Sequence, residues 1–423
     1  MDIIHPRVAG IDVHKKQISV AVRLPGQSPG ERRQVVRNFK TFWRALRQMA
    51  DWLAEQGVTD VAMEATGIYW WPVYFALTAT GSIEVCVANA AHMRNVPGRK
   101  TDTKDAQWIA QLHEHGLLRP SLIVSHEVRA LRDRTRYRKK LIEQRTREQQ
   151  RLAKVLETAG IKIDSVASTL MTQSGRLMIE ALIAGQRDPE QLADLAKGVM
   201  RRKLDELVMA CDGQFTDQHA EMCQLHLAAY DQLTLSIAEL DVLVARHAAP
   251  FTALITRLMT IPGIGRRTAE VIIAETGGDM SRFPTPAHLA AWCGLAPANR
   301  ESAGKRKKAG TRKGNVHLAS AMTEAAWATV RTRTRPGARL RRLIRRFGED
   351  HKKKAAIAVA HTLLRIIWAV LTHDTDYRED GADYYDRPLD PVRQTNRHIN
   401  ALRQLGYNVT LAPLDPPPQQ PAA

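Results

Sequence analysis

Between residues 8 and 115, apolar residues recur first in short β-type runs and then at helical spacing, in an order that leaves few folds open. VAGIDVH and ISVAVRL (8–24) flank the polar turn HKKQ and read as a hairpin, and QVVRNF reads as a third strand. Phe42, Leu46, Met49 and Leu53 follow at intervals of three and four, which predicts an amphipathic helix over 40–56 that ends at Gly57. VTDVAME (58–64) and IEVCVAN (83–89) are further strands, with a helix over 69–80 between them. From Asp102 to His115 the pattern is helical again, with Ala106, Ile109, Ala110 and Leu112 apolar. Three strands, helix, strand, helix, strand, helix is the order of an α/β domain with a mixed sheet.

The rest of the chain reads as helical. Residues 126–158 hold no proline, and between Arg129 and Lys154 they carry eleven Lys/Arg against three Asp/Glu, which predicts one long basic helix. Within the helical 165–248, Tyr230, Leu233, Ile237, Leu240 and Val244 alternate by three and four, the spacing of a coiled-coil or bundle seam. A mainly helical domain starts near Pro250, and the tail LAPLDPPPQQPAA is Pro-rich and expected to be disordered. The expected division is 1–120, α/β; 121–250, a helical linker or coiled coil; 251–380, a helical C-terminal domain; and 381–423, the tail. The most apolar stretch, Ala355 to Leu371, is interrupted by His361 and Arg365 and reads as a buried helix. Four scattered cysteines (86, 211, 223, 293) form no C-x-x-C pair and fit a reducing, cytoplasmic setting.

Four carboxylates stand on matching elements of the first domain. Asp12 lies in the first strand, Glu64 closes the fourth, and Asp102 and Asp105 are three apart at a helix start, so they share a face. Taken singly, Asp12 is an ordinary turn residue, and Asp102 and Asp105 are a helix N-cap and its N3 neighbour. Taken together, neighbouring strands and a helix crossing them bring all four to one place, the layout of an RNase H-like nuclease. Hard oxygen donors of this kind suit Mg²⁺ or Mn²⁺, and a pair of such ions stabilises both oxygens of a phosphodiester displacement. Arg94, Arg99, Lys100 and Lys104 surround the acidic pair, and His14, Lys15 and Lys16 follow Asp12, where a phosphate backbone would lie.

The charge points to the partner. With 62 Lys+Arg against 44 Asp+Glu the net charge is +18, which favours a polyanion, because neutralised phosphates release condensed counterions. TIPGIGRRTAEVIIAE (260–275) matches a helix–hairpin–helix: Gly263 and Gly265 let backbone approach a phosphate, and free N–H groups near Arg266, Arg267 and Thr268 hold the anion. The plain alternative is an inter-helix turn anchored by Ile264. From Asn299 to Gly348 there are fifteen Lys/Arg and two acids. Arg300, Lys305, Arg306, Lys307, Lys308, Arg312 and Lys313 form a dense basic loop with glycines at 304, 310 and 314. Ser302 stands among these cations, where a serine alkoxide or a transferring phosphate would be stabilised. His317 and Ser320 read as helix residues.

GIDVHKK, MEATGIYWWPV, RKTDTKDA, PGIGRRTAEVIIAE and CGLAPANRESAGKRKKAGTRKGN together resemble the IS-one-ten family of bacterial insertion-sequence transposases, the DEDD transposases, from about residue 8 to 410. The resemblance implies a RuvC-like nuclease domain with Asp12, Glu64, Asp102 and Asp105 as its metal-binding tetrad. It also implies a C-terminal serine, matched here by Ser302, that carries strand exchange through a phosphoserine. Some relatives have two consecutive Ser/Thr at this spot, where this chain has Glu301 before Ser302. The further implications are a guiding structured non-coding RNA and a dimer or tetramer joined through the helical middle region. Two other readings compete: a RuvC-like, structure-specific nuclease that uses water, and a non-catalytic DNA-binding protein whose carboxylates are caps and turns.

Overall fold

The computed structural model describes residues 2–28, 30–65, 67–89, 105–298, 301–302, 304–306, 310–385 and 391–412. It divides into two compact units, 1–123 and 124–423. Residues 124–250 share one unit with all that follows.

The first unit is built on a five-stranded mixed sheet. Its strands are β1 (Val8–Val13), β2 (Gln17–Pro25), β3 (Arg32–Lys40), β4 (Asp60–Glu64) and β5 (Glu84–Ala88), in the order β3-β2-β1-β4-β5. β1–β2 and β2–β3 are antiparallel, as hairpin connections require, while β1–β4 and β4–β5 are parallel. Among the described residues three helices follow the expected order: α1 (Trp43–Glu55), α2 (Trp70–Thr78) and α3 (Asp105–Glu114).

The strand pleat sorts residues between two faces. Ile11, Val13, Ile18, Val20, Val22, Met63 and Val87 join Leu46, Met49, Leu53, Val73 and Leu77 in one core with α1 and α2. The opposite face is lined by small residues: Val8, Gly10, Ala21, Ala62 and Ala88. α3 lies on that face, contributing Ala106, Ile109, Ala110 and Leu112. The approach is close enough that a Cβ on Gly10 would stand 2.2 Å from the Ala106 carbonyl oxygen and 2.3 Å from the Ala110 nitrogen. Only glycine admits the helix here.

The second unit opens with the long basic helix expected from its charge, α4 (His126–Thr158), capped by the Ser125 hydroxyl accepting from the Val128 N–H. Short helices α5 (Ile163–Val166), α6 (Gln173–Ile183), α7 (Pro189–Asp194) and α8 (Leu204–Cys211) lead to α9 (Asp217–Ala248). α9 runs antiparallel to α4, as the pairs Arg138–Asp241 (3.0 Å) and Glu148–His226 (2.9 Å) show. The heptad-spaced seam is therefore used inside one chain. Ile237, Leu240 and Val244 are buried, and Tyr230 receives the Arg145 guanidinium on its ring face.

Six more helices follow: α10 (Thr252–Met259), α11 (Arg266–Thr276), α12 (Pro286–Cys293), α13 (Val316–Ala328), α14 (Arg335–Phe347) and α15 (Lys352–Thr372), with α16 (Pro391–Gln404) beyond. α15 is long and apolar enough to meet a membrane-span criterion. Its Ala355, Ala356, Val359, Leu363, Leu364 and Ile367 are nevertheless buried among the surrounding helices, and the Trp368 indole donates to the Phe283 carbonyl (2.7 Å), as expected of a core helix. Most of the Pro-rich tail, 413–423, lies outside the described residues.

Candidate active site

The sheet register explains how distant carboxylates meet. Gly10 pairs with Ala62 and Ile11 with Met63, so Asp12 and Glu64 lie at neighbouring positions at the C-terminal ends of two parallel strands. Asp12 is two residues from Gly10 and Glu64 two from Ala62, which puts both on the face that α3 covers. The direction of α3 follows from its far end. There Glu114 is bound by Arg23 (2.9 Å), the partner of Val8 across β1–β2, and by Arg32 (2.5 Å). α3 thus runs opposite to β1, and its first residue, Asp105, comes to the Asp12/Glu64 edge. All three carboxylates are half-buried. Asp12 Oδ2 also bonds His14 Nε2 at 2.9 Å.

This donor set fits a hard divalent cation in kind: three carboxylates from three rigid elements at one edge. Among the described residues these oxygens do not form a group within 4.8 Å of one another. A pair of ions about 3.5–4 Å apart has no need of so tight a cluster. Asp102, Arg94, Arg99, Lys100 and Lys104 lie outside the described residues. Lys15 and Lys16 are exposed in the β1–β2 turn.

Sequence reasoning missed a second group at the opposite end of α3. His5 Nδ1 lies 2.9 Å from Asp60 Oδ1, and the His5 and His113 rings stack with centroids 4.6 Å apart. His113 is 7% exposed, and burial, reinforced by the His5 charge, pushes its pKa down to about 4. The three residues span 108 positions, and no short motif links them.

In the second unit the helix–hairpin–helix is present as α10, a turn, and α11, but its two glycines have different jobs. Gly263 has φ +86°, and the place of its Cβ is taken by the Ala325 carbonyl (2.4 Å) and the Thr329 methyl (2.7 Å) of the α13 end. Here it lets the hairpin pack closely against the α13 end. A Cβ on Gly265 would meet nothing within 4 Å, and this residue is the N-cap of α11, with no side-chain cap. Arg266 and Arg267 are tied to Glu270 (3.1 Å) and Asp241 (2.8 Å). Thr268 lines a cleft of about 470 Å³ with Arg136, Lys139, Lys140, His317 and Ser320. Beneath it Glu275, 0% exposed in its side chain, accepts two bonds from Arg136 (2.8 and 2.7 Å) and one from Asn315 (2.7 Å).

The basic segment is a short antiparallel ribbon rather than an open loop. β6 (Glu301–Ser302) pairs with β7 (Lys305–Arg306), Ser302 opposite Lys305, around Gly304 at φ +72°. The Ala298 N–H donates to the Gly310 carbonyl (2.9 Å) and extends the ribbon. Gly314 is used internally, since its Cβ would stand 2.3 Å from the Gly294 nitrogen. Arg312 and Lys313 are exposed; Arg300, Lys307 and Lys308 lie outside the described residues.

Comparison with known proteins covers both units. Residues 9–161 match a family model described as "Transposase", of the DEDD IS110 type, and residues 255–341 match "Transposase IS116/IS110/IS902 family". A "Probable family 20 transposase" of Pseudomonas aeruginosa is 26% identical over 336 residues, 78% of this chain and 89% of that protein. The "Transposase for insertion sequence element IS1111A" of Coxiella burnetii is 33% identical over 127 residues, 29% of this chain and 34% of that protein. An "Insertion element IS110 uncharacterized 43.6 kDa protein" of Streptomyces coelicolor is 30% identical over 151 residues, 36% of this chain and 35% of that protein. The two family models fall on the carboxylate-bearing unit and on the helix–hairpin–helix and ribbon, so the chain belongs to the IS110 family of insertion-sequence transposases.

Proposed function

We propose that this transposase cuts and rejoins DNA at the ends of an insertion sequence with a RuvC-like carboxylate site and a serine nucleophile. The observation that carries the reading is the convergence of Asp12, Glu64 and Asp105 on one sheet edge, from β1, β4 and the start of α3. Asp102 completes the tetrad in this reading. Mg²⁺ or Mn²⁺ held by these carboxylates would supply charge stabilisation at the phosphate undergoing displacement. Asp12, Glu64 and Asp105 would hold those ions beside the phosphate. Lys15, Lys16, Arg99, Lys100 and Lys104 neutralise the adjoining backbone. Gly265 offers open backbone at the α11 start, and Arg266, Arg267, Thr268, Lys305, Arg306, Lys307, Lys308, Arg312 and Lys313 extend the phosphate-binding surface. Gly263 shapes the hairpin.

Ser302 is the nucleophile in this reading. Its hydroxyl forms an ester to phosphorus while the bond from phosphorus to the sugar oxygen breaks, and the proton the serine loses is balanced by the one the departing sugar oxygen takes up. A hydroxyl from another strand then attacks the same phosphorus, releases Ser302 and restores the phosphodiester. One ester is exchanged for another at each step, so rejoining needs no nucleotide hydrolysis. A structured guide RNA and a dimer or tetramer complete the proposed assembly, with the exposed cations Arg147, Arg151 and Lys154 of α4 offered to RNA.

The test incubates the full chain with Mg²⁺, co-expressed RNA and labelled element-end DNA, and separates the products under denaturing conditions. A protein–DNA adduct in wild type that disappears in Ser302→Ala is expected. Cleavage that survives in Ser302→Ala with no adduct in either protein would replace this mechanism with a water-using nuclease. Absence of any metal-dependent cleavage would leave only a DNA-binding role.

A further inference from the structure

We propose that His5, Asp60 and His113 form a second metal site, chemically distinct from the carboxylate edge, that takes a divalent transition ion with Zn²⁺ as its occupant and clamps the far end of α3. The three donors come from three segments: the chain before β1, the first residue of β4, and the last turn of α3. One ligand atom from each lies within 4.8 Å of the other two. Two imidazoles and one carboxylate are a borderline-soft set that favours Zn²⁺ and its neighbours over Mg²⁺ or Ca²⁺.

Two observations make this more than a chance ion pair. His113 is buried, and its ring stacks on that of His5, so a second imidazole is held beside the His5–Asp60 pair where little solvent reaches it. The carboxylate is also oriented from behind, as metal-binding carboxylates are, because the Thr59 hydroxyl donates to Asp60 Oδ2 at 2.6 Å. That leaves Oδ1, the atom facing His5, as the ligand. Neighbouring Glu114 is occupied by Arg23 and Arg32 and is not a donor.

The site needs only local adjustment. Bonds of about 2.0–2.1 Å in a tetrahedron put donors about 3.3 Å apart, so the ligand atoms close by at most about 1.5 Å. One of the stacked rings turns about its Cβ–Cγ bond to aim its lone pair at the ion. Solvent supplies the fourth position, since the His5 side chain is 31% exposed. The consequence reaches the carboxylate edge. Asp105 and His113 stand on one helix about 12 Å apart, so an ion at one end fixes the helix that carries the carboxylate at the other. The main-chain bonds from Ile4 and His5 N–H to the Glu114 carbonyl (2.9 and 3.1 Å) already dock the N-terminal segment there.

The experiment uses the tag-free full chain in excess Mg²⁺, which occupies hard carboxylates and competes poorly for imidazole. Zn²⁺ is titrated by calorimetry, and Co²⁺ by visible absorption. The expected result is one Zn²⁺ per chain, a four-coordinate Co²⁺ spectrum and a rise in Tm on Zn²⁺ addition. Affinity falls at least about 100-fold in His5→Asn and in His113→Asn, and is unchanged in Asp12→Asn. No Zn²⁺ bound to wild type, or wild-type affinity retained in both histidine variants, would overturn the site without touching the carboxylate reading.

Discussion

Gly10→Ala is the sharpest test of how the sheet and α3 build the active-site edge. The added methyl would meet the Ala106 carbonyl at 2.2 Å and the Ala110 nitrogen at 2.3 Å. Both are helix backbone, so no side chain can swing aside. Restoring an ordinary contact of at least about 3.4 Å moves α3 outward by about 1.2 Å. Overpacking of this kind costs about 1–3 kcal/mol. Unfolding entropy of about 2.1 cal/mol/K per residue over the first unit comes to about 260 cal/mol/K, so each kcal/mol lowers Tm by about 4 °C and the expected drop is about 4–12 °C. Asp105 moves with its helix. A displacement of about 1 Å in a catalytic group costs about 100-fold in rate. Calorimetry of the full chain and Mg²⁺-dependent cleavage of element-end DNA measure the two effects. A variant within about 2 °C of wild type and equally active would refute both the close approach and its link to the carboxylates.

Three further outcomes follow from the same geometry. Asp12→Asn should reduce metal-dependent cleavage about 100-fold or more, since a metal-binding carboxylate contributes several kcal/mol to the transition state, while Tm stays within about 1 °C of wild type; unaltered cleavage would remove Asp12 from the site. At Glu275, burial pushes the carboxyl up, but the bonds from Arg136 and Asn315 and the charges of Arg136 and Arg132 outweigh it, so the pKa lies below its usual 4.5. The unfolded chain then binds the proton more readily, so this stabilisation is present above about pH 4.5 and is lost as pH falls through the folded value. Glu275→Gln should cost about 3–5 kcal/mol at neutral pH and flatten the acid limb of stability, as denaturant melts at several pH values would show. Replacing Arg312 and Lys313 with Gln should lower the slope of log affinity against log salt by about 0.9 for each duplex phosphate left without its cation, and an unchanged slope would place the DNA backbone elsewhere.

Local pattern carried most of the first unit. The pleat of β1 and β4 is written as alternating residues, so Asp12 shares a face with Gly10 and Glu64 with Ala62, while the register that sets the two pairs side by side is tertiary, and the long charge-rich run 126–158 reads as a helix. The seam at Tyr230–Val244 was visible as a period of three and four. Its partner was not, because a heptad face satisfied by α4 in the same chain looks the same as one satisfied by another chain. The glycines show the same limit. Gly263, Gly265, Gly304 and Gly314 all advertise freedom of the backbone, yet Gly263 and Gly314 spend it on α13 and Gly294, while Gly265 remains open.

The sequence by itself therefore determined the order of elements, the alternation within each strand, and the basic character of the surfaces, because these depend on periods of two and 3.6 residues and on composition. Only the tertiary structure decided the direction of α3 across the sheet, the meeting of His5, Asp60 and His113, and which cations are already paired. Most of these contacts join residues some fifty to more than a hundred positions apart through burial and close packing, and no short-range pattern encodes them.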